Sequence, residues 1–191
     1  MSEQQIRHIF ADAASAHTAA ADMCTAGILA AVAAIGTTLR EGGKVLVFGN
    51  GGSAADSQHF AAELVGRFQC DRQALAAVAL TTDTSVLTSI ANDFAYEQVF
   101  ARQVQALGRP GDVAFGITTS GRSRNVMGAF DEAARRGLTT IALVGSPANG
   151  ESRARITIAV PAANTARIQE VHRTILHILC ELIEKPYAAS R

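Results

Sequence analysis

The sequence predicts an α/β fold: a three-layer sandwich in which a five-stranded parallel sheet is flanked by helices, with extra helices at the N-terminus. Three observations predict it. From about residue 42 onward, short apolar runs alternate with longer amphipathic ones, as expected for parallel strands joined by helical crossovers. Two of the short runs pass through glycine- or hydroxyl-rich loops directly into helices. The 191 residues, 48% hydrophobic and 18% charged, can bury one substantial core but are too few for two full domains.

Residues 3 to 41 show helical spacing. Ile6, Ile9, Phe10 and Ala13 form one stripe and Ile28, Val32 and Ile35 a second, which predicts two Ala-rich helices able to pack closely within or between subunits. Glu41-Gly42-Gly43 supplies a stop and a turn. Strands are expected at Lys44 to Phe48, Ala76 to Leu80, Asp112 to Ile117, Thr139 to Val144 and Arg155 to Val160. Helices are expected over Gly52 to Phe68, over Asp83 to Leu107 with a break near Asn92-Asp93, over Ser123 to Arg136 and over Asn164 to Glu184. With no internal repeat or linker, residues 1–191 read as a single domain, 1–41 a helical oligomerisation segment and 42–191 the α/β core.

Seventeen basic residues balance seventeen acidic ones, which excludes a broad cationic surface for nucleic acid or an anionic membrane. The longest apolar run near the start, Ala26 to Ile35, has ten residues, about half of what a membrane-spanning helix needs. No signal-peptide layout is present, so the expectation is a cytoplasmic protein. Cys24, Cys70 and Cys180 are odd in number and lack C-x-x-C spacing, which indicates neither a disulfide framework nor a zinc ribbon.

The first predicted strand runs into Gly49-Asn50-Gly51-Gly52-Ser53-Ala54-Ala55-Asp56 and then a helix. Free backbone N–H groups and the helix dipole at such a turn favour an anionic or hydroxyl-rich ligand. The stretch also satisfies G-x-G-x-x-A, so a dinucleotide site stands beside that reading, as does a tight turn with no ligand. Absence of Gly-Lys-Ser/Thr excludes a nucleoside-triphosphate P-loop. The second loop, Thr118-Thr119-Ser120-Gly121-Arg122-Ser123, follows the third predicted strand. Its four hydroxyls before a helix N-terminus suit a phosphate monoester, to which the dipole adds about 0.3 to 1 kcal/mol. A plain N-cap role for Ser123 explains one hydroxyl and leaves the others unexplained. Ligands bind at the carboxyl ends of parallel strands, where both loops emerge, so one pocket can use both.

His59 and Glu63 share a helix face at i and i+4 near the glycine loop, a pairing more often met as an ordinary surface contact. On the last helix Gln169, His172 and His177 stand among apolar residues, where a His is usually part of the core. Gln169 and His177 are eight residues apart, about 12 Å of rise and roughly 80° of rotation, so they meet at one ligand only by converging from either side. With His59 and Glu63 they offer N and O donors suited to a divalent metal such as zinc.

Together and in order, the Gly49 to Asp56 loop, His59-Phe60-Ala61-Ala62-Glu63, Thr81-Thr82-Asp83-Thr84-Ser85, Asn92-Asp93, the Thr118 to Ser123 loop, and Arg167-Ile168-Gln169-Glu170-Val171-His172 followed by His177 resemble the sedoheptulose 7-phosphate isomerase (phosphoheptose isomerase) family. The resemblance covers about residues 40 to 185. It implies the sugar isomerase (SIS) fold, a homotetramer with active sites between subunits, and a phosphorylated seven-carbon sugar as substrate. The implied reaction converts D-sedoheptulose 7-phosphate to D-glycero-D-manno-heptose 7-phosphate through an enediol, the entry to nucleotide-activated heptose for bacterial lipopolysaccharide and related surface polysaccharide. By the same resemblance Asn50, Gly51, Gly52 and Ser53 line the sugar, with Asn92 and Asp93 near its hydroxyl chain. Thr118, Thr119, Ser120 and Ser123 hold the phosphate. Glu63 is the base, His177 the acid, and Gln169 supports them. In zinc-containing members the metal ligands match His59, Glu63, Gln169 and His177, which implies a zinc ion in each subunit.

Some positions depart from the family pattern. Ala166 stands where some isomerases carry an aspartate, Thr118 replaces a serine, and the Gly145 to Gly150 segment lacks an expected Gly-Gly pair and is shortened. Two other classes remain open. One is a non-catalytic tetrameric factor that binds the replication initiator protein; such a relative lacks a histidine at the position of His177. The other is a sugar-phosphate-sensing or dinucleotide-binding module.

Overall fold

The computed structural model describes residues 2–146 and 153–188. In chain order it runs α1 (Glu3–Arg40), β1 (Val45–Gly49), α2 (Gly52–Val65), β2 (Ala77–Ala79), α3 (Thr84–Asp93), α4 (Val99–Leu107), β3 (Val113–Thr118), α5 (Arg124–Arg135), β4 (Thr139–Val144), β5 (Ile156–Ala159) and α6 (Thr165–Glu184), with 3₁₀ turns at Tyr96–Gln98 and Lys185–Tyr187. The five strands form one parallel sheet in the order β2-β1-β3-β4-β5, the architecture expected from the sequence. The shortened segment expected after Gly145 falls largely on residues 147–152, outside the described residues.

The continuous apolar runs of β1, β3 and β4 have a direct cause, since a parallel sheet with helices on both sides leaves no wet face. Val45, Val47, Val113, Phe115 and Ile117 turn to one side and pack with Ile28 and Ile35 of α1, Phe60 and Leu64 of α2, and Ile168 and Leu176 of α6. Leu46, Phe48 and Ala114 turn to the other and meet Ile90, Phe100 and Phe130 of α3, α4 and α5. Phe48 lies against Phe100 and Phe130 with ring centroids 5.4 and 5.7 Å apart, tilted contacts worth about 0.5 to 1.5 kcal/mol each beyond their burial.

One expectation is corrected at the N-terminus: the two predicted helices are a single one, α1. Ser2 and Gln5 cap its start reciprocally, no proline interrupts it, and its many alanines favour continuation. Gly27 does not end a helix here. A Cβ at Gly27 would stand 2.9 Å from the Thr157 carbonyl oxygen, so the glycine lets α1 approach β5. By length and composition alone α1 is long and apolar enough to cross a membrane, which counting unbroken apolar residues does not reveal. In this fold Ala20, Cys24, Ile28, Ala31 and Ile35 are buried in the core, while Ile6, Ile9, Phe10, Met23 and Leu29 are exposed.

His172, with 0% exposure, fastens α6 to the sheet. Its Nε2 donates to the Val144 carbonyl at 3.1 Å, and its Nδ1 has no partner. A second ring proton would therefore enter an apolar pocket, and burial lowers the imidazole to about 4 despite the opposing carbonyl. Between that value and the ordinary 6.5 the unfolded chain binds the extra proton and the folded chain does not, so stability falls as pH drops through this window. The expected loss sums to about 3 kcal/mol. Urea unfolding from pH 7 to 4 measures it: the midpoint should decline in the wild type and decline less in His172→Gln, whereas a flat wild-type curve would show that His172 charges in place.

Candidate active site

β1 and β5 deliver α2 and α6 to the same face of the sheet, where the two helices run in the same direction and in step. At the first rung a Cβ on Gly52 would lie 2.5 Å from Gln169 Nε2, so the amide keeps this position only while residue 52 has no side chain. One turn later Arg173 Nε and Nη2 reach Asp56 Oδ1 at 2.9 and 2.5 Å. At the next rung His59 Nε2 and His177 Nε2 stand 2.8 Å apart, and Glu63 Oε1 is 3.4 Å from His59 Nε2. Two ring nitrogens this close share one proton: one ring donates from Nε2 and the other accepts. Burial lowers the His59 imidazole, and the Arg173 guanidinium and His177 add to that effect while the Glu63 and Asp56 carboxylates oppose it. The sequence therefore brought three true neighbours together in His59, Glu63 and His177. Gln169 lies at the Gly52 rung, near the start of the seam.

The two loops meet at the other end of this seam. Gly49 of β1 pairs with Ile117 of β3, so the glycine loop and the hydroxyl loop leave adjacent strands. Gly51 has φ of +54°, a backbone turn that glycine adopts without strain, and it opens α2. Asn50 and Asn125 are hydrogen-bonded reciprocally through their amides at 2.9 and 2.8 Å, and the Tyr96 hydroxyl donates to Asn50 Oδ1 at 3.0 Å. Asn125 Oδ1 also accepts the Val126 N–H. In the hydroxyl loop Thr118 Oγ1 is 3.1 Å from Ser123 Oγ and 3.5 Å from Ser120 Oγ, and Ser120 Oγ accepts the Arg122 N–H. Ser123 precedes α5 but its side chain makes no capping bond, so the plain N-cap reading does not describe it. Thr119 is half-buried, and Ser53 is buried beneath the glycine loop.

Asn92 and Asp93 are exposed at the end of α3, where Asn92 donates to Asp93. What ties this stretch to the glycine loop is Tyr96, three residues on, which sequence reasoning passed over together with Asn125 and Arg173. Ala166, at the missing carboxylate, is exposed in the first turn of α6, where its N–H is capped by Asn164. A cavity of about 600 Å³ at the opposite sheet end lies beside Asp112, whose carboxylate takes the Lys44 side chain and the backbone N–H groups of Lys44 and Arg109.

Among the described residues no group of three or more His, Cys, Asp and Glu is arranged to hold a metal ion. The imidazole pair itself is closer than two ligands of one zinc ion would be. Two tetrahedral ligands at usual zinc–nitrogen lengths stand about 3.3 Å apart, while the ring nitrogens here are 2.8 Å apart. The donor types, two imidazoles and one carboxylate, are ones that zinc accepts, and His177 and Glu63 each lie near His59.

A family model described as SIS domain matches residues 9–145. The phosphoheptose isomerase of Aquifex aeolicus is 50% identical over 185 residues, covering 95% of this chain and 96% of the relative. Among solved structures, the phosphoheptose isomerase of Neisseria gonorrhoeae superposes with a TM-score of 0.87 at 42% identity, covering 95% of this chain and 98% of that one. The phosphoheptose isomerase of Francisella tularensis superposes with a TM-score of 0.90 at 37% identity, covering 97% and 100%.

Proposed function

The chain belongs to the phosphoheptose isomerase family, and from that premise we propose how its side chains carry out the reaction. It is an aldose–ketose isomerase that converts D-sedoheptulose 7-phosphate to D-glycero-D-manno-heptose 7-phosphate. The carbonyl moves from C2 to C1. Glu63 takes the proton from C1, leaving a 1,2-enediol, and returns it to C2. His177 supplies a proton to O2 and receives the one leaving O1, each positioned group contributing about 10² to 10⁴ in rate. The observation that supports this pairing is the meeting of Glu63 and His177 at His59, within 3.4 and 2.8 Å of its Nε2. A non-catalytic binding factor is the less favoured alternative, because identity to phosphoheptose isomerases runs over nearly the whole chain.

The remaining assignments belong to the same proposal. Asn50, Gly51, Gly52 and Ser53 line the sugar, Asn92 and Asp93 stand near its hydroxyls, and Gln169 supports the acid and base from the Gly52 rung. Thr118, Thr119, Ser120 and Ser123 hold the phosphate, supported by the cluster of hydroxyls ahead of α5. Zinc is the proposed cofactor, to be held by His59, Glu63, Gln169 and His177; when bound it would supply Lewis-acid polarisation of the carbonyl. His59, Glu63 and His177 lie together at one rung, whereas Gln169, seated against Gly52, would have to turn toward them to complete the set. A homotetramer with sites between subunits finds support in the apolar residues that α1 leaves exposed, Ile6, Ile9, Phe10, Met23 and Leu29. A cytoplasmic location belongs to the same proposal, and zero net charge supports the absence of non-specific nucleic-acid or anionic-membrane partners. Its product would enter nucleotide-activated heptose for surface polysaccharide.

Incubation with sedoheptulose 7-phosphate in deuterated water should yield the aldose with deuterium at C2, and Glu63→Gln should lower turnover by about 10² to 10⁴ while the substrate still binds. Near-normal turnover in that variant would reject Glu63 as base. Ser120→Ala combined with Ser123→Ala should raise KM for the phosphorylated ketose about tenfold or more, since a hydrogen bond to a charged group is worth about 1.5 to 3 kcal/mol. Equal weakening of the unphosphorylated sugar would contradict the phosphate assignment. Metal analysis of protein purified without chelator should find zinc in the wild type and less in His59→Ala; a metal-free, fully active enzyme would remove zinc from the scheme.

A further inference from the structure

Glu184, the last residue of α6, takes no part in the mechanism above, yet its side chain is only 1% exposed and faces an Arg72 side chain that is 0% exposed. Its carboxylate sits in a cradle of backbone donors. Oε1 accepts the N–H groups of Gln69 and Cys70 at 2.8 and 3.0 Å, and Oε2 accepts that of Phe68 at 3.3 Å. Arg72 Nε is 3.3 Å from Oε2, at ion-pair distance without the alignment of a hydrogen bond. Burial alone would raise this carboxyl, but the three N–H donors and the guanidinium outweigh it and hold the group below its ordinary range.

Both ends of the ion pair lead to the proposed acid and base. Arg72 Nη2 donates to the backbone carbonyl of Glu63 at 2.7 Å, and Nη1 to those of Leu64, Gly66 and Gln73 at 2.9, 3.2 and 2.9 Å. The guanidinium thus closes the last turn of α2, the turn that carries Glu63. Phe68, whose N–H is held by Glu184, lays its ring against the His177 imidazole with centroids 5.3 Å apart. Between the two carboxylates lies Cys180, a thiol pushed up to about 12, first by burial and then by Glu63 and Glu184. A buried ion pair adds little net stability over apolar side chains of the same volume, because desolvation offsets the attraction. Its value here lies in what it aims.

The geometry points to Arg72 and Glu184 as a positioning pair: Arg72 sets the helix turn that presents Glu63, and Glu184 sets the loop that seats Phe68 on His177. This rests on the proposed roles of Glu63 and His177. The test compares Glu184→Gln, Arg72→Lys, Phe68→Ala and Phe68→Tyr with the wild type, well below their unfolding temperatures. Two readouts are taken: kcat and KM with sedoheptulose 7-phosphate, and the Hε1 resonance of His177 by NMR. Glu184→Gln and Arg72→Lys should each lose about 10²-fold in kcat with KM little changed, the cost of a misplaced reacting group. The His177 resonance should move in Glu184→Gln and Phe68→Ala and stay in Phe68→Tyr, which should also keep its rate. Folded Glu184→Gln with wild-type kcat and an unmoved His177 resonance would overturn the assignment and leave a merely structural ion pair. Should Glu184→Gln not fold, Phe68→Ala decides, because it removes the ring while leaving the ion pair; an unchanged rate and resonance there overturns the assignment equally. If the wild type itself fails to isomerise the sugar, the isomerase reading falls, and the His177 resonance still judges the positioning.

Discussion

Everything at the site depends on the register of α2 against α6. Two parallel helices in step present one residue each per turn, and here successive rungs carry different chemistry: Gly52 with Gln169, Asp56 with Arg173, His59 with His177. A slip of one turn would place Arg173 against His59 and leave Asp56, buried at 4% exposure, without its cation. A buried carboxylate left unpaired is strongly unfavourable. The Asp56–Arg173 pair therefore acts as a key for the register, while Gly52 leaves room at the first rung for the Gln169 amide, which a Cβ there would displace.

The sheet supplies the other half of the arrangement. Its order β2-β1-β3-β4-β5 means that the chain leaves β1 towards one edge and returns to β3 on the other side of it. The loops after β1 and β3 consequently diverge, and the crevice between them is where open α/β sheets take their ligands. Divergence alone would leave those loops free to move independently. The reciprocal Asn50–Asn125 amides join them, and Tyr96 brings in the segment after α3. Gly145 allows a similar closeness from β4, since a Cβ there would stand 2.3 Å from the Thr119 carbonyl. Three strands thus converge on one cleft through amide bonds and a missing side chain.

The parts of this that were legible in the sequence are those governed by local rules. Strands appeared where apolar runs were short, helices where polarity was periodic, and the break at Asn92-Asp93 marks the end of α3. The histidines show where local rules stop. His172 and His177 share one apolar stretch, yet His172 lies under α6 at 0% exposure and His177 faces α2 at the seam. Five residues turn a helix through 500°, so the two must face apart by about 140°, but which one met the core depended on the sheet. Asn125, Arg72 and Glu184 gave no signal at all, because an amide or ion pair between remote elements has no spacing to read. In α1 the pattern misled, as two separate apolar stripes read as two helices while the helix runs unbroken through Gly27, which packs against β5.

On the proposed assignments the two ends of the cleft do different thermodynamic work. The phosphate is common to ketose and aldose and is untouched by the reaction, so the hydroxyls of Thr118, Thr119, Ser120 and Ser123 bind substrate, enediol and product alike. Uniform binding of that kind raises no chemical rate; it holds C1 and C2 at a fixed distance from the phosphate anchor. Differential binding must then arise where charge develops, at Glu63 and His177. That division matches how the two ends are held. Ser120 and Ser123 stand on a loop joined by hydroxyl contacts of 3.1 to 3.5 Å. Glu63 and His177 stand on adjacent helices with a fixed register, because a proton passed between neighbouring carbons tolerates little displacement of the base.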